Sequence, residues 1–323
     1  MKKVLIALVM LGMAASASAV EFNDLPLNAA DLKAMLPAES AGIPSPEGMA
    51  VEEGSAVPIE WLPIPGGKFM MGTENGATSY ADTRPVHKVT ISNFEMAKTA
   101  VTVEQYAQCV YKGLCTKPAT GGYCNWGKPG RQRHPVNCVS WYQAKKYADF
   151  IGTQPGHEGA RLPSESEWEY AATGLGATYQ RYPWGSSEPT CRKAVMHGKG
   201  RYHCGNNDGT MPVCSKPDGN TEQGLCDMAG NVFQWVQDKY KSSYLGAPAD
   251  GSAYEGEGSA PYSPALITIP PGKPECEGGS CRVVRGGSPS SYDSGYLAGD
   301  YRGYGDPAVH YTFTGFRLAR SGR

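Results

Sequence analysis

Ten cysteines constrain this 323-residue chain more than any other feature: Cys109, Cys115, Cys124, Cys138, Cys191, Cys204, Cys214, Cys226, Cys276 and Cys281. The count is even, and the residues fall into neighbouring couples separated by turn-rich stretches. In an oxidising compartment that pattern reads as a disulfide framework. Sequence leaves the connectivity open, and the expectation is sequential pairing: Cys109–Cys115, Cys124–Cys138, Cys191–Cys204, Cys214–Cys226 and Cys276–Cys281. Loops this short restrict the unfolded chain by about 2–3 kcal/mol each in the chain-entropy model. Such bridges brace surface loops and leave distant elements untied. No couple has the Cys-x-x-Cys spacing of a zinc knuckle.

The N-terminus agrees with an oxidising destination. Lys2 and Lys3 precede an almost wholly apolar run over 4–15, and Ala17-Ser18-Ala19 follows. That order is a secretory signal cut after about Ala19, so a secreted or periplasmic protein is expected. The run is shorter than the roughly 20 residues needed to cross a bilayer, and no later segment is apolar enough, so no membrane span is expected. No cysteine stands just after the cut to carry a lipid. Residues 20–58 show no sustained period and read as a flexible arm. Acidic and basic residues nearly balance, for a formal net charge of -1. Bulk electrostatic attraction to nucleic acid is thereby excluded.

From residue 59 onward the chain reads as one domain to 323. Two short strands are expected around Pro65-Gly66-Gly67, and the alternation of His87 to Ile91 marks another. Thr102 with Gln105, Ser140 with Gln143, and Ser164 with Glu167 each place a hydroxyl three residues ahead of a Gln or Glu. These are capping boxes, and helices of roughly 8–12 residues should follow. Beyond Ala172, glycine, proline, asparagine and tyrosine predict loops and short strands.

The motifs then come in a specific order: PGGKFMMG at 65–72, RPVHKV at 84–89, PVNCVSW at 135–141, RLPSESEWEYAA at 161–172 and YPWG at 182–185. DMAGNVFQW at 227–235, RGGS at 285–288 and GFRL at 315–318 complete the series. The ordered set resembles the formylglycine-generating enzyme (sulfatase-modifying factor) family over essentially all of 59–323. The resemblance implies an α+β, loop-rich fold related to C-type lectins, with few short helices and short strands. Within it Trp168, Trp184 and Trp235 are expected as core or loop anchors. Glu165, Glu167 and Glu169 are expected to serve the helix N-terminus, where negative charge suits the macrodipole.

The family's chemistry implies two cysteines after RGGS that hold Cu(I), a soft ion that selects thiolates, for oxidation of a substrate cysteine to formylglycine. Here those positions fall on Ser291 and Tyr296. No cysteine follows Cys281, so no copper is expected. Ser288 matches a pocket residue of the family but lacks partner chemistry. The resemblance also implies a calcium on Asp227, Gly230, Val232 and Gln234, set against a calcium-free turn held by Asn231. Gln234 stands where the family usually has Glu, which removes a charge from the hard oxygen set that Ca²⁺ prefers.

Two family branches bear on function. The sulfoxide synthases of ergothioneine biosynthesis use a His-rich helical domain ahead of this one, and the 20–58 arm contains no histidine. A periplasmic branch of pyoverdine maturation shares export and the missing cysteine pair. His197 and His203 flank the Cys191–Cys204 couple and form a remote metal candidate; His87, His134, His157 and His310 read as surface or loop residues. Tyr292, Tyr296, Tyr301, Tyr304 and Tyr311 crowd where the family's groove should lie, either lining it for a peptide, protein or glycan ligand or packing it shut. The functional expectation is a non-copper member acting in binding or envelope maturation. The alternatives are an oxidative maturation enzyme and a formylglycine-generating oxidase acting on sulfatase cysteines.

Overall fold

The structure is a computed structural model describing residues 58–74, 81–197, 204, 209–258, 276 and 280–322. The signal, the 20–58 arm up to residue 57, and His203 lie outside the described residues.

All three capping boxes form. Helix α1 (Val103–Tyr111) starts where Gln105 N–H donates to Thr102 Oγ1 and Thr102 N–H donates to Gln105 Oε1. Ser140 and Gln143 open α2 (Trp141–Gly152) in the same reciprocal way, and Ser164 and Glu167 open α3 (Glu165–Ala172). Each cap stabilises its helix by about 1 kcal/mol. Helix α3 differs from the other two in having all eight residues buried, so it runs through the interior and has no solvent face.

Three sheets surround these helices. Strands β1 (Trp61–Ile64), β4 (Phe94–Ala97) and β9 (Ala319–Ser321) form an antiparallel sheet in the order β1-β4-β9. Strands β2 (Gly67–Met71) and β3 (His87–Ile91) pair antiparallel, with Met71 opposite His87. The two strands flanking Pro65-Gly66 therefore belong to different sheets. Gly66 makes the corner: its N–H donates to Asn93 Oδ1 at 2.7 Å, and a Cβ there would stand 2.5 Å from the Ile91 carbonyl.

The third sheet has β5 (Phe233–Lys239) and β6 (Arg282–Arg285) at its centre, flanked by β8 (Thr314–Phe316) and β7 (Gly303–Gly305). Its β5–β8 pair is parallel, the others antiparallel. One apolar cluster packs α1 and α2 against Trp235 and Phe316; a second packs Trp168 of α3 against β2, β3 and Val236. The result is α+β and loop-rich, with no α-helix after α3 among the described residues.

All five disulfides pair sequentially, as the couples suggested, and no cysteine is free. Five bridges fit a protein that works outside the reducing cytoplasm. Among the described residues no helix is long and apolar enough to cross a membrane.

Candidate functional site

The RGGS segment leaves β6 and enters a tight turn that only glycine permits. Gly286 has φ +94, and a Cβ on it would sit 3.0 Å from both the Met228 carbonyl and the Trp168 ring. Gly287, at φ +72, lies between Ser291 Oγ and the Tyr296 carbonyl, 3.2 and 2.7 Å from where its Cβ would be. The structure thus brings Ser291 and Tyr296 together around Gly287. Ser288 N–H donates to Ser291 Oγ at 3.0 Å and Ser291 N–H returns a bond to the Ser288 carbonyl at 3.0 Å. Ser288 Oγ meets Ser290 Oγ at 2.8 Å, and His197 N–H donates to the Ser291 carbonyl at 3.1 Å. Asp293 caps the 3₁₀ turn Ser294–Leu297, which sets Tyr296 in place. Hydroxyls, phenols and the Asp293 carboxylate line this turn, so it offers oxygen atoms and no soft ligand for a metal.

The tyrosines do not form one groove. Tyr292 is 74% exposed, with its hydroxyl 3.2 Å from that of Tyr296 and the two rings edge-to-face at 5.4 Å. Tyr296 packs in turn on Tyr301, which is buried against Phe233. Tyr304 is buried in the other core cluster, 4.5 Å from Tyr240 between ring centroids, and Tyr311 is buried against Trp235. Of Tyr292, Tyr296, Tyr301 and Tyr304, read as either lining a groove or packing it shut, only Tyr292 is exposed and the other three are packed. Strand β7 intervenes and carries Tyr304 away from the turn. The tryptophans anchor the interior as expected, with Trp168 and Trp235 fully buried and Trp184 stacked on Tyr182.

The Asp227–Gln234 segment does not fit calcium as its side chains are placed. Gln234 Oε1 accepts from Trp168 Nε1 at 3.0 Å and from Arg317 Nε at 2.6 Å, which uses both acceptor directions. Its Nε2 donates to the Asp227 carbonyl. Asp227 Oδ2 accepts from Cys214 N–H and Asn231 Nδ2, and the Gly230 carbonyl accepts from Val232 N–H. Burial raises the Asp227 carboxyl above its ordinary range, against the pull of the Cys214 N–H and Arg317. The interior cation of this segment is the Arg317 guanidinium, which also donates to the carbonyls of Ala97, Lys98 and Cys226. Among the described residues no three His, Cys, Asp or Glu side chains are grouped to hold a metal.

The sequence reading missed a buried charge cluster below the turn. Glu165 is gripped by Arg302, at 2.7 and 3.0 Å, and lies 3.6 Å from Arg285. Glu169 pairs with Arg285 and accepts from Gly72 N–H at 2.7 Å. Asp238 accepts from the N–H groups of Glu165 and Tyr254. Burial opposes ionisation of Glu165, yet Arg302 and Arg285 outweigh it and hold its pKa down. Burial pushes Glu169 up to about 7, and pushes Asp238 up to about 8 with Glu165 adding to the effect. The four-residue spacing of Glu165 and Glu169, which puts both on one helix face, was the available signal. Glu167, on another face, serves the cap and a bidentate pair with Arg161.

Residues 51–322 match the sulfatase-modifying factor enzyme 1-like domain. The formylglycine-generating enzyme of Streptomyces coelicolor is 32% identical over 72% of this chain and 79% of its own length. A protein named serine/threonine-protein kinase pkn1 from Chlamydia caviae is 31% identical over 81% of this chain, but the match spans only 38% of that relative. Among solved structures, PvdO from Pseudomonas aeruginosa superposes with a TM-score of 0.62 at 25% identity, covering 81% of this chain and 94% of PvdO.

Proposed function

The chain belongs to the sulfatase-modifying factor enzyme 1-like family, and from that premise we propose that it is an exported, non-copper member acting in binding or envelope maturation. One observation carries the reading. All ten cysteines are in disulfides, and the two positions that the resemblance implies for Cu(I) carry Ser291 and Tyr296. Hydroxyl oxygen is a poor ligand for a soft ion, so the copper route to formylglycine has no ligands. What the turn does present to solvent is Ser290, Tyr292 and Asp293. An aromatic face with polar neighbours suits a peptide, protein or glycan ligand.

The test is incubation of the disulfide-intact protein with a Cys-x-Pro-x-Arg peptide, copper and oxygen, followed by mass spectrometry. The peptide cysteine is expected to survive unchanged. Its conversion to formylglycine, or stoichiometric copper in the purified protein, overturns the reading. A second reading, a periplasmic oxidative maturation enzyme, draws support from the likeness to PvdO over nearly all of that chain. Oxygen consumption on adding a catechol- or thiol-bearing substrate would favour it over a binding role.

A further inference from the structure

Five acids surround two guanidiniums below the Ser288 turn. Helix α3 supplies Glu165 and Glu169, β5 supplies Asp238 and β6 supplies Arg285. The stretch ahead of β7 supplies Asp300 and Arg302, with Tyr179 facing Asp300. The 3₁₀ turn Ala81–Thr83 contributes Asp82, and the loop after β5 contributes Tyr240 and Tyr244. Lys241 turns outward, its ammonium on the Leu245 carbonyl and over the Tyr254 ring.

The two guanidiniums are committed to Glu165 and Glu169, which leaves Asp82 and Asp238 without an ion-pair partner of their own. A carboxylate enclosed in that state takes up a proton in preference to staying charged. Asp82 shows where one proton belongs. Its Oδ2 accepts from Tyr240 Oη at 2.9 Å, whereas its Oδ1 is enclosed and has no hydrogen-bond partner among the described residues. Beside the cluster lies a cavity of about 20 Å³ lined by Glu165, Asp238, Tyr244 and Arg302, enough for one water through which a proton can pass.

The same groups join otherwise separate segments. Arg302 Nη1 donates to the Asp82 carbonyl at 2.6 Å and to the Lys241 carbonyl at 2.8 Å. Tyr244 N–H donates to the Arg84 carbonyl at 2.7 Å. Arg285 Nη1 donates to the Tyr301 carbonyl, beneath Tyr296. We propose that this cluster is a proton-operated latch: it holds residues 81–84 and 240–254 against α3 while Asp82, Glu169 and Asp238 keep their protons, and loosens both segments as rising pH removes them.

The sign follows from linkage. Unfolded, these carboxyls ionise near pH 4. Folded, Glu169 holds its proton to about 7 and Asp238 to about 8, and Asp82 is raised in the same direction by burial. Each such group favours the fold below pH 4, and that contribution is lost as pH rises through the folded pKa. In that window each group changes the unfolding constant by up to about tenfold per pH unit.

The experiment is urea unfolding between about pH 5 and 9, with hydrogen exchange followed by mass spectrometry on peptides covering 81–84, 240–254 and, as reference, α1. The wild-type unfolding constant is expected to rise at least about tenfold from pH 6 to 8. Exchange at 81–84 and 240–254 should accelerate beyond the chemical rate while α1 does not. Asp82→Asn keeps an oxygen for Tyr240 and puts an amide where the bare Oδ1 lies, so both responses should weaken. Equal pH slopes in wild type and Asp82→Asn, or exchange that rises alike in all three segments, overturns the latch. Should Asp82→Asn fail to fold, the wild-type exchange pattern decides the matter by itself.

Discussion

Replacing Arg317 with methionine tests whether a guanidinium, and not a metal ion, is the cation of the Asp227–Gln234 segment. Arg317 is fully buried and donates to Gln234 Oε1, to the carbonyls of Ala97 and Lys98, and to that of Cys226. Burial pulls it down to about 10, opposed by Asp227, so it stays charged at neutral pH. In Arg317→Met, Gln234 Oε1 keeps Trp168 and the Lys98 carbonyl keeps the Cys226 N–H. The loss therefore falls mainly on the carbonyls of Ala97 and Cys226, and a buried acceptor stripped of its donor costs about 1–3 kcal/mol. Asp227 also loses the nearest positive charge. Relief from burying a guanidinium offsets part of this, and we expect a net loss of about 3–5 kcal/mol. For a domain of this size that lowers Tm by roughly 6–20 °C. Calorimetry in EGTA and in millimolar CaCl₂ is the assay. Wild-type Tm should be the same in both, and calcium should not restore Arg317→Met. A saturable rise in wild-type Tm with calcium would show preferential binding to the folded state and refute the reasoning.

Ser164→Ala removes the cap of the interior helix and the bond from Ser164 Oγ to the Gly251 carbonyl; a loss of about 1–2 kcal/mol in urea unfolding is expected. Opening the Cys124–Cys138 bridge with a double serine substitution should cost about 3 kcal/mol for a loop of this length. In the wild type, thiol titration in denaturant without reductant should find no free thiol, because all ten cysteines are paired. Tyr292→Ala, at a ring 74% exposed, should change stability by less than about 0.5 kcal/mol, so a lost ligand response in that variant reports on recognition and not on folding.

What was legible in the residues divides by the distance over which the partners act. The caps need only two side chains three positions apart, and all three formed. The disulfides join cysteines 5 to 14 residues apart, so sequential pairing succeeded. The charge cluster draws on contacts separated by 73, 116, 137 and 220 residues, and no local pattern announces them. Glu165 and Glu169 looked like helix-terminal charges because the local reading had no access to Arg302 or Arg285. The tyrosines were ambiguous for the opposite reason. Five within twenty residues resembled one surface, but the turn at 294–297 and strand β7 send them to different cores.

The RGGS segment shows that a strong motif match and the chemistry at positions 291 and 296 are separable. Gly286 and Gly287 are required by their positive φ and by the approach of the Met228 carbonyl, the Trp168 ring and the Tyr296 carbonyl. Arg285 is required by Glu169 and Glu165. None of these demands involves the residues at 291 and 296. The motif therefore reports the turn, which the packing of α3 and β6 enforces whatever chemistry the turn presents. The two positions beyond it, where the resemblance implies the copper ligands, hold Ser291 and Tyr296, which hydrogen-bond within the turn and its neighbours. Cysteine at both would place one thiol beside Gly287 and the other where the Tyr296 side chain packs against Tyr292 and Tyr301. Tight Cu(I) binding by Ser291→Cys/Tyr296→Cys, measured by competition with a chromogenic chelator, is the expected outcome. A double variant that folds and binds no Cu(I) would mean that the turn itself, and not only its side chains, has departed from the copper-binding form.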